Sequence, residues 1–158
     1  MKPPLLIVLL LSWLVTLGWA QSALGQQGDM AVVVNPKNSV TNVTVAELRN
    51  LLAGYKHSWP GGTAVKVFVR APGTEERTTL LKLLGMSESA YKQHWISRVF
   101  RGEAQAEPQI LPSNGMLKEA VAVFPGGIAL MNAQDVKPGM KVVRVNGHPP
   151  GEAGYPLH

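Results

Sequence analysis

The feature that most restricts this chain is its alternation of short apolar runs with capped amphipathic segments, because each segment has an apolar side that another must cover. Residues 31–34 are all apolar and read as a buried strand stopped by Asn35-Pro36. Thr44 and Glu47 form a capping box that opens a helix, with Val45, Leu48 and Leu52 on its apolar face and Gly54 as its stop. After a Trp59-Pro60-Gly61-Gly62 turn, residues 65–69 alternate as a second strand ending at Arg70. Thr74 caps a helix predicted to reach Leu84, with Glu75 and Glu76 in its first turn and Gly85 behind it. Ser87 caps the next helix, which carries Tyr91, Trp95 and Val99 on one face and a Glu88–Lys92 pair at i,i+4, and ends near Gly102. Residues 109–111 form a short strand, and Ser113 caps a helix with Leu117, Ala120, Val121 and Phe124 inward. Pro125-Gly126-Gly127 turns into a strand at 128–131, and residues 141–145 make the last one. The order βαβααβαββ predicts an α/β domain with a largely parallel sheet flanked by helices.

The chain opens with Lys2, an apolar run over residues 5–17 and a small-residue exit, the pattern of a secretory signal peptide. Cleavage after Ala20 or after Gly25 fits equally well, so residues 1–25 bound the leader. The run is shorter than the roughly 20 apolar residues that span a bilayer, so no stable membrane insertion is expected once it is removed. The expected location is periplasmic or secreted. No cysteine occurs, which rules out disulfides and lipid attachment through a thiol. The remaining chain of roughly 135 residues is long enough to bury a core without staples. One domain is expected over residues 30–146, with a Pro/Gly-rich, frayed tail at 147–158. Losing Lys2 with the leader takes the net charge from +5 to +4, and the basic residues form no run, which argues against nucleic acid as a partner.

His57, His94, His148 and His158 fall on separate elements without ligand spacing, so no metal site is expected. The chain contains no G-x-S-x-G, Walker or G-x-G-x-x-G motif, and no catalytic residue or cofactor is predicted. Two loops are more informative. Arg70-Ala71-Pro72-Gly73-Thr74 and Leu111-Pro112-Ser113-Asn114-Gly115 each lead from a strand to a helix N-terminus, where free N–H groups and the helix dipole attract anions. Arg70 adds a forked cation suited to phosphate or carboxylate. Thr74 and Ser113 serve either as ordinary caps or as ligands, and Arg70 either as a solvated rim residue or as the anion's partner.

These residues resemble the phosphate-type periplasmic substrate-binding proteins of ABC transporters. The resemblance runs through Val34-Asn35-Pro36, Asn42-Val43-Thr44 with Glu47-Leu48, and Gly54 with Lys56 and Trp59. It continues through Val69-Arg70-x-x-Gly73-Thr74, similar to the family's R-S-D-G-S-G-T phosphate loop, and through Phe124-Pro125-Gly126-Gly127-Ile128-Ala129-Leu130, similar to its return strand. It implies a type 2 periplasmic-binding-protein-like fold, in a short single-lobe or truncated relative. By position it carries over Arg70, Gly73 and Thr74 as ligand-binding residues, and geometry adds Ser113 and Asn114.

The departures have consequences. Pro72 stands where the family has an aspartate that accepts a hydrogen bond from protonated phosphate, and Glu75 and Glu76 stand where it has Gly and Thr. Each carboxylate in the first turn opposes an incoming anion by roughly 0.3–1 kcal/mol. The expected function is therefore an exported, non-enzymatic solute-binding-type domain for phosphate or another small oxyanion, serving an ABC transporter permease or a sensor. The alternative is an interaction module of the cell envelope that keeps the fold without a ligand.

Overall fold

The computed structural model describes residues 28–158, and the leader expected over residues 1–25 lies outside the described residues. One sheet contains six strands: β1 (Met30–Val34), β2 (Asn42–Val43), β3 (Lys66–Arg70), β4 (Gln109–Leu111), β5 (Gly127–Asn132) and β6 (Lys141–Val145), in the order β2-β6-β1-β5-β3-β4. Four helices flank it: α1 (Val45–Leu52), α2 (Glu75–Leu84), α3 (Glu88–Phe100) and α4 (Asn114–Val123). The architecture is the expected α/β one. β3 runs parallel to β4 and β5, and β2 parallel to β6, while β1 runs antiparallel to both of its neighbours, β5 and β6. Burial on both faces made β1 legible as a strand, but its direction is set by partners that follow it by about 100 residues.

Strict alternation along the strands divides the interior in two. Met30, Val32 and Val34 of β1, Val67 and Val69 of β3, and Ile128 and Leu130 of β5 face α1, α2 and α3 in the larger core, which also holds Trp59, Tyr91 and Trp95. Ala31, Val33, Phe68, Ala129 and Met131 face α4 through Leu117 and Val121. The four helix caps act as their residue types predict: the side chains of Thr44, Thr74, Ser87 and Ser113 accept from the N–H groups of Glu47, Arg77, Ala90 and Met116.

Gly126 shows why the β3 and β5 backbones can meet. A Cβ there would lie 1.6 Å from the Ala64 carbonyl oxygen. Its own carbonyl accepts from the Lys66 N–H at 2.9 Å and from the Trp59 indole N–H at 3.0 Å. At the opposite end of the same turn, buried Asn35 donates to the Val121 and Ala122 carbonyls at 2.9 Å and so closes the last turn of α4.

Several expectations are corrected. The two-residue strand β2 was absent from the expected order, because it is recognisable only through its pairing with β6. Glu88 does not pair with Lys92; both its oxygens accept from Arg77 on the preceding helix. Val99 is exposed, because Arg98 takes the inward position, donating to the Gly54 carbonyl at 2.6 Å and lying over the Tyr55 ring. Phe124 is half-exposed, because α4 ends at Val123 and the next residue is already extended. The tail over 147–158 is not frayed. Tyr155 and Leu157 are buried, the Tyr155 hydroxyl donates to the Met30 carbonyl at 2.6 Å, and the Met30 N–H donates to the Leu157 carbonyl at 3.0 Å.

Candidate functional site

Because β3, β4 and β5 are parallel, their carboxyl ends, Arg70, Leu111 and Asn132, fall on one edge of the sheet. The N-termini of α2 and α4 open on that edge, as ligand sites of open α/β sheets require. The loop after β3 turns through Gly73, whose φ of +88° a side chain would resist. Arg70 and Leu111 are register partners, so the two loops singled out in the sequence lie side by side.

Arg70 and Asn114 come together directly. The Arg70 Nη1 donates to the Asn114 side-chain oxygen, and its Nη2 donates to the Pro112 carbonyl at 3.3 Å. Glu76 brings a carboxylate oxygen to 3.8 Å from Nη1, in a pair whose side chains are both about one-tenth exposed. The Arg70 Nε–H is buried and has no partner. Thr74 is occupied at both ends: its hydroxyl donates to the Ala71 carbonyl at 2.8 Å and accepts from the Arg77 N–H at 3.3 Å. Ser113 accepts from the Met116 N–H at 3.1 Å. Both hydroxyls act as caps, one of the two roles open to them from sequence. Gly73 is exposed, with nothing near its α-carbon face.

The edge is also more acidic than the two loops suggested. The Asn114 amide donates to Asp135 at 2.6 Å, and the Asn132 amide donates to Glu75 at 3.2 Å. A chain of polar contacts thus runs from Glu76 through Arg70 and Asn114 to Asp135. Asp135 and Asn132 carried no signal in the sequence, because they lie at the end of β5 and in a 3₁₀ turn (Ala133–Asp135) placed here only by the order of the strands.

Among the described residues, no group of three or more His, Asp or Glu side chains is arranged to hold a metal ion, and no helix is long and apolar enough to cross a membrane. The sequence matches no protein-family profile. Solved structures are similar in fold. An ABC-type phosphate transport receptor from Vibrio cholerae superposes with a TM-score of 0.63 at 19% identity, over 78% of this chain and 48% of its own. PstS from Borrelia burgdorferi gives 0.59 at 16% identity, over 78% of this chain and 49% of its own. A Clostridium perfringens protein with bound phosphate gives 0.61 at 18% identity, over 76% of this chain and 46% of its own. The chain thus spans about half the length of the proteins it matches. Over that half, its fold is the one found in phosphate-type substrate-binding proteins of ABC transporters.

Proposed function

We propose that this chain is an exported solute-binding-type domain that takes a phosphate-like oxyanion, weakly, at the carboxyl edge of β3 and β4. The observation that carries the reading is the unpartnered Arg70 Nε–H. Burying a guanidinium donor without an acceptor is unfavourable, and this one lies where two helix N-termini open. An anion accepting from Nε and from the Gly73 backbone, with Thr74, Ser113 and Asn114 at its side, would satisfy it. The role is binding rather than catalysis, in the service of an ABC permease or a sensor. The bound phosphate in a structural neighbour supports the ligand class.

The test is titration calorimetry with phosphate, sulfate and molybdate at millimolar concentration, on the wild type and on Arg70→Ala. Heat that disappears in the variant is the expected result. No heat from any anion, or the same heat without Arg70, would sink the reading.

A second reading, a ligand-free envelope interaction module, is favoured by the carboxylates of this edge: Glu76 beside Arg70, Asp135 on Asn114 and Glu75 on Asn132. It predicts no anion binding by the wild type but recovered binding in Glu75→Gln/Glu76→Gln, together with specific capture of an envelope protein.

A further inference from the structure

Among the described residues, β4 has β3 on one side and no strand on the other, so it presents unpaired N–H and C=O groups along its outer side. The two helices beside that edge leave apolar side chains open along it. On one face of the sheet, α3 carries Lys92, Ile96 and Val99 at i, i+4 and i+7, and Lys92 lines a cleft together with Ile110 of β4. Ile110 is 53% exposed and takes this face because its register partner is Val69, a residue of the larger core. On the other face, α4 connects β4 to β5. Asn114 marks the β5 side of α4 by donating to Asp135, and Met116 and Val123 stand about half a turn round the helix from Asn114, on the β4 side. Val123 is 72% exposed and Met116 48%. Five of the eight large apolar side chains exposed among the described residues thus border one three-residue strand. Single exposed apolar residues are ordinary, but a strip on both faces of an unpaired edge marks an interaction surface.

The chemistry of the edge specifies its occupant. An unpaired strand takes another strand, and the strip beside it takes an apolar surface that reaches both faces of the sheet. A second copy of β4, reversed by a two-fold axis normal to the sheet, supplies both. Ile110 then lies against its own copy and Gln109 against Leu111, while Met116, in the first turn of α4, comes to Val123, at its last residue. Charge agrees with this pairing. Lys92 lies in the half of α3 that starts beside Pro72 and Arg77, near the carboxyl ends of the strands, whereas Glu107 precedes the amino end of β4. Reversal brings each exposed Lys92 toward the exposed Glu107 of the other copy. Glu88, one turn before Lys92, does not compete, because Arg77 occupies both of its oxygens.

We infer that the β4 edge joins two copies of this chain into a symmetric dimer through antiparallel β4–β4 pairing, independently of any anion at the Arg70 edge. Sedimentation equilibrium of the full chain at high micromolar concentration is expected to give a dimer. Because the chain contains no cysteine, Ile110→Cys tests the axis directly. Mild oxidation links that variant into a covalent dimer, whereas Arg144→Cys, on an exposed position of β6 far along the sheet, stays monomeric on a reducing-agent-free gel. Ile110→Lys sets two like charges face to face at a position that is already exposed, so it keeps the wild-type circular dichroism spectrum and weakens the dimer by more than about tenfold. Lys92→Glu also weakens it, and adding Glu107→Lys restores it. A monomer throughout the concentration range overturns the inference, whether the edge stays open or is covered by residues 1–27 or by another protein. So does a dimer that Ile110→Lys leaves intact, one that cross-links as readily through Arg144→Cys as through Ile110→Cys, or a double charge reversal that restores nothing.

Discussion

Arg70 and Arg77 belong to the same loop-and-helix segment, yet the fold uses them in opposite ways. Arg70 closes a strand, draws Asn114 of α4 and the Pro112 carbonyl from the neighbouring loop, and meets Glu76 of its own segment. It ties two loops together at the open edge of the sheet. Arg77 sits in the first turn of α2, forms a two-pronged pair with Glu88 of α3 and lies flat on Tyr91. It is a packing element as much as a charge, since a guanidinium stacks while its stem fills space. The difference teaches that position along the chain announces a cation at a mouth, whereas a cation serving the interior shows itself only when a second helix arrives. Each keeps one buried N–H without a partner, Nε in Arg70 and Nη1 in Arg77.

The contrast breaks most visibly at Arg77. Arg77→Ala removes a side chain that is 6% exposed, together with its contact with Tyr91, and is expected to cost about 2–4 kcal/mol in chemical denaturation. A loss below about 1 kcal/mol would place Arg77 in the same class as an ordinary surface pair. Arg70→Ala is expected to cost less, about 1–2 kcal/mol, because the loops lose a clamp and buried Glu76 loses its cation. Adding Glu76→Gln to that variant recovers part of the loss, and a cycle showing strict additivity would separate the two residues.

The smallest effect sharpens the comparison through pH. Hydrogen bonds from Arg77 hold the Glu88 carboxyl below its ordinary value of 4.5. A depressed carboxyl contributes stability that is present above 4.5 and lost as pH falls through its folded value. Glu88 is about two-fifths exposed, so the gain is modest, and Glu88→Gln costs less than about 1 kcal/mol at neutral pH. It also flattens the acid limb of a stability–pH curve, whereas an unchanged limb would assign that limb to other carboxylates.

Legibility in the sequence followed the range of the interaction. The caps at Thr44, Thr74, Ser87 and Ser113 were readable because a cap bonds within three residues of itself. The Glu88–Lys92 pair was readable too, and wrong, because Arg77 on a neighbouring helix competes for the same carboxylate. The tail was hidden by its prolines and glycines, which mask two apolar residues that β1 needs for closure. At the candidate site, Arg70 and Asn114 were brought together by the likeness of two loops. Asp135 and Asn132, which make that edge acidic, lie beyond any local pattern.

What the amino-acid sequence determined by itself is the set of elements: five of the six strands, four capped helices and the α/β class, because periodicity, caps and turns act over a few residues. Tertiary structure alone decided the reversed direction of β1, the two-residue β2, the anchoring of the tail and the company each arginine keeps. Those depend on contacts between residues far apart in the chain. A charge has no assigned partner until packing has chosen which distant group lies within a few ångströms of it.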